Sequence, residues 1–332
     1  MKIQPSKNTI LAELGSLNLE FTRLSQLTKD PKYFDAAQRV INRLEEAQNN
    51  TRVPGLWPVM VDAEDLTFND PRYTVGGMAD SAYEYLPKQH LLLGARTNQF
   101  HNMYSTAMDP IKKKVIFRGN VKGKDGQHVL FPGNTRAIYL DNEVEPQMEH
   151  LKCYLGGTVG IGAKIFNRPE ELSIARGLVD GCIWAHDVMP TGIMPEIMYV
   201  SPCEKVEDCE WDEQKWYRDV RRRVGGRSQE SDSEIKTTVK NHGLQPGVTD
   251  IPDAQYKLRY SFSLTPQQNP VLLTKAQTRS YRVCLYYVPH NRGQVPPRRC
   301  LAHVLECREN HSHQIRPCSH QRCPQFKHRA GR

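Results

Sequence analysis

The chain of 332 residues shows neither of the features by which proteins usually enter a membrane or a secretory lumen. It opens on MKIQPSKNTILAEL, without a charged segment followed by an apolar one, and it contains no run of about 20 apolar residues. These absences predict no signal segment and no membrane-spanning helix in the printed chain. Taken alone, they describe a soluble cytosolic protein.

Acidic side chains are scarce at the C-terminal end of the chain. Residues 260–332 hold 12 of the 45 Lys and Arg but only two of the 37 Asp and Glu, Glu306 and Glu309. The remaining 33 basic and 35 acidic residues nearly cancel, so the net charge of +8 comes from this tail. Five of the nine cysteines also lie there, and no helical period is sustained. The composition predicts a boundary after Arg259.

Three interpretations of the tail compete. A basic arm could bind nucleic acid through phosphates. A zinc site would draw on Cys300, Cys307, His311, His313, Cys318, His320 and Cys323. Their spacing matches no regular zinc finger, since four residues separate Cys318 from Cys323 and no partner pair repeats. In the third interpretation, the tail is translated outside the reading frame of the gene.

Back-translation favours the third interpretation. Residues 278–305 can be encoded by codons that, read one base later, give PEAIESVFITYRITGDKSLQDAAWRMFW without a stop. That string repeats the helix-turn-helix pattern of LSQLTKDPKYFDAA near the start of the chain. Residues 260–277 are then an unspliced intron. We therefore expect a basic Cys-, His- and Pro-rich tail over residues 260–332 that binds no nucleic acid.

Carboxylates dominate the segment GGMADSAYEYLPKQHL at residues 76–91. Asp80 and Glu84 are four residues apart among helix formers, so they share one helical face. Tyr83 and Leu86 lie close by in sequence, and the pattern indicates a half-buried acidic surface. An ordinary solvated acidic face is the alternative.

Residues 10–47 predict two amphipathic helices joined at Thr28-Lys29-Asp30-Pro31. Pro31 suits the first turn of the second helix, with Asp30 as its N-cap. Glu13 and Glu20 interrupt the apolar stripe of the first. Burial of a carboxylate is costly unless it is paired, so both are candidates for function. The stripe consists of Leu11, Leu14, Leu17, Leu19, Phe21, Leu24 and Leu27.

Two further motifs carry polar groups. His150 lies in QMEHLKCYLGGTVGIG, close to a cysteine and a glycine-rich turn, although a lone histidine is more often a satisfied core residue. Glu196 lies in PTGIMPEIMYV, where it follows a proline in a short extended segment.

Four of these segments resemble glycoside hydrolase family 47, the class I α-1,2-mannosidases, and occur in the same order: AELGSLNLEFTRLSQLTKDPKY, GGMADSAYEYLPKQHLLLG, MEHLKCYLGG and TGIMPEI. The resemblance covers about residues 11–259 and is strongest to fungal secretory-pathway enzymes. It implies a mainly α fold, an (α/α)7 toroid of paired helices around a deep pocket. It also implies calcium-dependent, inverting removal of α-1,2-linked mannose from high-mannose N-glycans.

Matched by motif, five residues take roles from the family. Asp80 corresponds to a catalytic aspartate, and Glu196 to a glutamate among the candidates for the acid. Glu13 and Glu84 correspond to substrate-binding carboxylates that hold sugar hydroxyls or waters around the metal. His150 corresponds to a histidine in the same pocket.

The resemblance also assigns cysteines. Cys153 and Cys182 occupy the positions of the family disulfide, and Cys203 and Cys209 resemble an extra loop disulfide of fungal relatives. Disulfides imply an oxidising lumen or the cell exterior, whereas free core thiols and a loop with exposed thiols are the alternatives. Asn49-Asn50-Thr51 is an N-glycosylation sequence compatible with passage through that compartment.

The printed chain departs from the family in three places. It lacks the preceding helices with a catalytic acid and an arginine, the water-activating glutamate of the PEAIES segment, and the C-terminal threonine that ligates calcium. We expect residues 1–259 to be a partial barrel domain, an incomplete toroid with impaired activity and no assigned metal ligand. The start is then misplaced or the chain is a fragment.

This interpretation places the protein in the secretory pathway, in the endoplasmic reticulum or Golgi, or outside the cell. Membrane association would come only through a segment that the printed chain lacks. Two other interpretations remain open: a lectin-like, mannose-binding relative in glycoprotein quality control, and an inert product of a faulty gene model.

Sequencing the messenger RNA across the codon of Arg259 tests the frame. We expect a spliced transcript that joins YKLR to the PEAIES reading, because one base of displacement accounts for the loss of that motif. A transcript that encodes residues 260–332 as printed would contradict it.

Overall fold

The computed structural model describes residues 5–122, 129–137, 144–204, 209–224 and 232–252. They all belong to one unit, Met1–Tyr286, and the tail predicted from residue 260 lies outside the described residues. These residues form a mainly helical fold, which confirms the predicted class. The helices are α1 (Leu11–Gly15), α2 (Asn18–Thr28), α3 (Lys32–Ala47), α4 (Asp80–Leu92), α5 (Gln99–Lys114), α6 (Tyr154–Ile165), α7 (Glu171–Asp187), α8 (Glu213–Val224) and α9 (Asp232–Asn241).

Short antiparallel strands connect the helices. They are β1 (Thr9–Ile10), β2 (Met60–Val61), β3 (Arg72–Thr74), β4 (Ile116–Arg118), β5 (Leu130–Pro132), β6 (Asn134–Arg136), β7 (Val144–Glu145), β8 (Gln147–Glu149), β9 (Ile197–Val200) and β10 (Val248–Asp250). They pair as β1-β2, β4-β5, β3-β6-β7 and β10-β9-β8. Among the described residues, no helix is both long and apolar enough to cross a membrane.

The predicted junction between the N-terminal helices is confirmed, although the N-cap of the second helix is Pro31 and not the predicted Asp30. Helix α2 ends at Thr28 and α3 begins at Lys32. Lys29 closes α2 in the left-handed conformation with φ 61°, and Asp30 Oδ1 accepts the Lys32 N–H at 3.1 Å. This carboxylate satisfies one of the unpaired N–H groups at a helix start, so the junction is built from local chemistry.

The predicted apolar stripe of the first helix is only partly correct. That helix is broken between Gly15 and Asn18, and its second part, α2, buries Asn18 and Thr22. Leu17 and Leu27 are 51% and 65% exposed. The cause lies on α4, where Gln89 Nε2 donates to Thr22 Oγ1 at 2.7 Å, so a polar contact sets the face that α2 turns inward.

Helix α1 packs closely on α4 through two small residues. A Cβ atom on Gly15 would lie 2.5 Å from Ala82 Cβ and 2.8 Å from Ala82 Cα. The Ala12 N–H also donates to Met78 O at 2.8 Å, just before α4 begins. These contacts hold the N-terminal helix against the start of α4.

The predicted pairing of Cys153 with Cys182 is confirmed, with Cα atoms 5.7 Å apart. The bridge joins the short 3-10 turn His150–Cys153 to α7, next to the packed pair α6 and α7. Cys203 and Cys209 are also bonded. The first bridge fixes the turn that contains His150 against a long helix.

The approach of α1 to α4 can be tested with matched glycine replacements. Gly15→Ala should lower the free energy of unfolding by about 1–3 kcal/mol, because the new methyl group meets the Ala82 backbone. Gly160→Ala in α6 is the control, since its Cβ would lie an ordinary 3.7 Å from Ala175 Cβ. It should be neutral or stabilising by up to about 1 kcal/mol. Urea unfolding measures both, and equal effects would contradict the packing.

Candidate active site

Asp80 is the first residue of α4 and is buried. It follows a tight turn at residues 76–79, in which the Asp80 N–H donates to Gly76 O at 2.7 Å. Asp80 Oδ1 accepts the Ser81 N–H at 2.9 Å. A carboxylate at a helix start is favoured by the positive end of the helix dipole. The turn and the dipole together position this side chain.

Glu84 lies one helical turn further along α4 and is also buried. Its Oε1 forms an ion pair of 2.6 Å with Lys88 Nζ. The alternative of a solvated acidic face is therefore wrong, and both carboxylates are buried more deeply than the predicted half-buried surface. The pairing with Lys88 offsets part of the cost of burying Glu84.

Glu149 connects this turn to β8, a contact that sequence analysis missed. Its Oε2 accepts the Gly77 N–H at 2.6 Å, across 72 residues of chain. A Cβ atom on Gly76 would collide with the same carboxylate. Gly76 therefore lets the backbone that precedes Asp80 approach Glu149 closely.

The Lys152 side chain packs against Gly76 in the same turn, a contact that the sequence analysis did not predict. The residue is 1% exposed, and its Nζ donates to Asn134 Oδ1 at 2.7 Å, Gln147 O at 2.7 Å and Gly133 O at 3.2 Å. Burial lowers the pKa of Lys152 to about 8, although Glu149 and Glu145 act in the opposite direction. Sequence offers little signal for this burial, because most lysines are exposed.

His150 and Glu196 meet through the pairing of β8 with β9. Glu149 is opposite Ile197 in the register, and the next N–H, that of His150, donates to Glu196 O at 2.9 Å. The His150 side chain is buried, with its ring centroid 5.5 Å from that of His186. The Glu196 side chain is exposed. The strands thus bring together two residues that are 46 positions apart.

Glu13 differs from its predicted environment. Burial was the reason to consider Glu13 and Glu20, and that expectation is wrong, since both are exposed. Helix α1 has only five residues and buries Leu11 and Gly15, so Glu13 lies on another face. Glu20 accepts the Tyr85 hydroxyl at 2.8 Å. Glu13 nevertheless follows Ala12, whose N–H bonds the turn that leads to Asp80.

These contacts attach the predicted site residues to one turn. Ala12, the neighbour of Glu13, donates its N–H to Met78 in the turn, and Asp80 is the residue that follows the turn. Glu149 accepts the Gly77 N–H, and the next residue, His150, donates its own N–H to Glu196. The arrangement gathers backbone from four separate parts of the chain around residues 76–79. Such convergence can surround a polar ligand with several side chains.

A cleft of about 230 Å³ adjoins this turn on the side of the sheets. It shares Gly77, Met78 and Glu149 with the turn but is not lined by the predicted site residues. Because the motifs assign the catalytic role to Asp80, we place the candidate site at the turn that leads into Asp80 and not in the cleft. The other lining residues are Val59, Arg72, Tyr73, Thr74, Asn134, Thr135, Arg136, Glu145, Gln147 and Tyr199.

The described residues thus form a mainly helical domain in which the turn before Asp80 contacts the strand before His150. Residues 1–277 match the family model for glycosyl hydrolase family 47, and the chain belongs to this family, as its motifs predicted. The match extends beyond Arg259, where the composition changes.

Curated relatives agree with the family. A mannosyl-oligosaccharide 1,2-alpha-mannosidase of Arabidopsis thaliana is 30% identical over 222 residues, which cover 61% of this chain and 34% of the relative. The endoplasmic reticulum mannosyl-oligosaccharide 1,2-alpha-mannosidase of Rattus norvegicus is 28% identical, with 59% of this chain and 28% of the relative covered. The chain spans about a third of the length of the curated relatives that it matches.

A solved structure shares the fold. The alpha-1,2-mannosidase from Trichoderma reesei superposes with a TM-score of 0.54 at 22% identity, over 73% of this chain and 44% of that chain. At this identity, the likeness shows the fold alone.

Calcium is required by this family in general. Within the described ranges, no three His, Cys, Asp or Glu side chains come together as a metal site. A calcium ion usually takes six to eight oxygen ligands. No chemical step here depends on the ion.

Lys152 gives the stability a distinctive pH dependence. Between pH 8 and the ordinary lysine pKa of 10.5, the unfolded chain binds a proton that the folded chain has released. Folding should therefore become more favourable across this window as the pH rises, by up to about 3 kcal/mol from this residue. Urea unfolding at pH 7 to 10.5 should show this rise in the wild-type chain and not in Lys152→Met.

Lys164→Met is the matched control, because Lys164 is exposed on α6. It should keep the wild-type pH dependence. Parallel profiles for the wild-type chain and Lys152→Met would show that the amine is not buried as described.

Proposed function

We propose that this chain is part of an α-1,2-mannosidase that removes terminal mannose from high-mannose N-glycans by inverting hydrolysis. One observation carries the proposal: Asp80 is buried at the start of α4, on a turn that contacts the strand pair holding His150 and Glu196. Membership of family 47 supports the substrate class.

The proposed roles follow the chemistry of inversion. One carboxylic acid protonates the leaving oxygen while a carboxylate about 6.5–9.5 Å away activates water. Asp80 is the proposed catalytic aspartate, and the exposed Glu196 is a candidate for the acid because solvent and substrate can reach it. Glu84, Glu13 and His150 are proposed to bind sugar hydroxyls around the reacting bond.

The proposed architecture is an incomplete (α/α)7 toroid over residues 1–259, with residues 260–332 as a separate tail. Consecutive helices pack in pairs, as α2 with α3, α4 with α5, and α6 with α7. This pairing of consecutive helices is the feature of the described residues that supports the proposal.

The proposed location is a secretory lumen or the cell exterior. The two disulfides support an oxidising compartment, and relatives are named for the endoplasmic reticulum. Calcium is the proposed cofactor, as in the family in general.

A second candidate is mannose binding without hydrolysis, in glycoprotein quality control. The exposed Glu13 carboxylate is available to a sugar hydroxyl in this function as in the first. An inert product of a faulty gene model is the outcome if neither activity is found.

Activity on α-1,2-mannobiose tests the proposal. The printed chain should turn over far more slowly than a full-length relative, since partners of a catalytic unit are not additive and the loss of one costs orders of magnitude. A chain with the alternative frame and the missing ends restored should cleave with inversion. In that restored chain, Asp80→Asn should reduce kcat by roughly 10³-fold or more.

Glu46→Gln is the control, because Glu46 is exposed on α3 and pairs with Arg43. It should leave kcat unchanged. Robust turnover by the printed chain would show that the chemistry uses other carboxylates. A restored chain that binds mannobiose without cleaving it would support the second candidate.

A further inference from the structure

The turn after α3 presents an acceptor for covalent modification that the proposed function does not use. Asn49-Asn50-Thr51 has the sequence required for N-glycosylation, with a middle residue other than proline. Asn49 is exposed, whereas the neighbouring Asn50 Nδ2 donates to Glu46 O at 3.0 Å and closes the end of the helix. We infer that Asn49 carries an N-linked oligosaccharide.

The reaction needs a lipid pyrophosphate-linked oligosaccharide as co-substrate. The amide nitrogen of Asn49 forms a bond to C1 of the first sugar, and the bond from C1 to the phosphate oxygen breaks. The amide loses a proton and the lipid pyrophosphate leaves. No oxidant or reductant takes part. The inference rests on the proposed secretory location, but it does not depend on mannosidase activity.

The folded structure restricts when this can happen. Thr51 is buried, and its hydroxyl lies 2.8 Å from Val53 O and 2.7 Å from Leu56 O, which share its hydrogen. Gly55, at φ 96°, donates its N–H to Gln48 O at 2.9 Å and closes the same turn. A transferase that must contact the Thr51 hydroxyl can reach it only while this turn is open.

Closure of the turn depends on residues that are synthesised later. The Trp57 indole donates to Leu44 O at 2.6 Å, and its ring packs 5.5 Å from that of Tyr83. The Trp57 N–H also donates to the Tyr83 hydroxyl at 3.2 Å. Since Tyr83 is 26 residues further along the chain, the acceptor stays open during synthesis and is enclosed once α4 packs. The attached glycan remains compatible with the fold because Asn49 itself stays exposed.

The test uses the full chain behind a cleavable signal sequence, translated in the presence of endoplasmic reticulum microsomes. We expect a gel shift that an endoglycosidase removes. Asn49→Gln should abolish the shift attributable to this site, and Thr51→Ser, which keeps both the acceptor sequence and a hydroxyl, should retain it.

A second acceptor sequence, Asn310-His311-Ser312, provides the matched control. Asn310→Gln should leave the Asn49 shift in place. A gel shift that is lost in Asn310→Gln but unchanged in Asn49→Gln would overturn the assignment. So would a chain that shows no gel shift although its protection from protease shows that it entered the microsomes.

The timing is tested separately by adding a detergent-solubilised oligosaccharyltransferase and its lipid-linked donor to the purified, folded, unglycosylated chain. We expect Asn49 to stay unmodified, whereas Trp57→Ala, which removes the contacts that lock the turn, should be modified at least several-fold more. Equal and efficient modification of both folded chains would show that burial of Thr51 does not limit access.

Discussion

The contact between Gly77 and Glu149 joins two parts of the chain that are 72 residues apart, and the candidate active site is assembled around it. On one side, the turn leads directly into Asp80 and α4. On the other, β8 continues into the turn that holds His150 and the Cys153 disulfide. Pairing of β8 with β9 then adds Glu196. Loss of this contact would remove a direct hydrogen bond between the turn that leads into Asp80 and the strand that leads into His150.

The contacts around this turn also bury the amine of Lys152, and the loss of its hydration costs free energy. Lys152 gives up water and finds three acceptors in return, from residues 133, 134 and 147. A buried charge of this kind is tolerated only when its partners are in place, so the amine also requires a particular position of β6 and β8. A network with every member satisfied is rigid, and a rigid support is what a catalytic carboxylate needs. Stability and function therefore draw on the same group of contacts.

Helix α2 is attached to α4, the helix that begins at Asp80, by a polar contact. Thr22 bonds Gln89 of α4, and that hydrogen bond turns Leu17 and Leu27 outward. This hydrogen bond offsets part of the cost of burying the Thr22 hydroxyl and the Gln89 amide nitrogen. In the turn after α3, the Asn49 side chain is exposed and the Thr51 side chain is buried.

Sequence alone determined the features that depend on adjacent residues. The break between α2 and α3 follows from Lys29 and Asp30, and the family motifs predicted both the cysteine pair and the family itself. Tertiary structure decided which side chains are buried: Glu13 is exposed although an apolar run surrounds it, and Lys152 is buried although its type favours solvent. The physical reason is the range of the forces. A helix cap is completed within a few residues, whereas burial depends on partners far along the chain, which a local pattern does not contain.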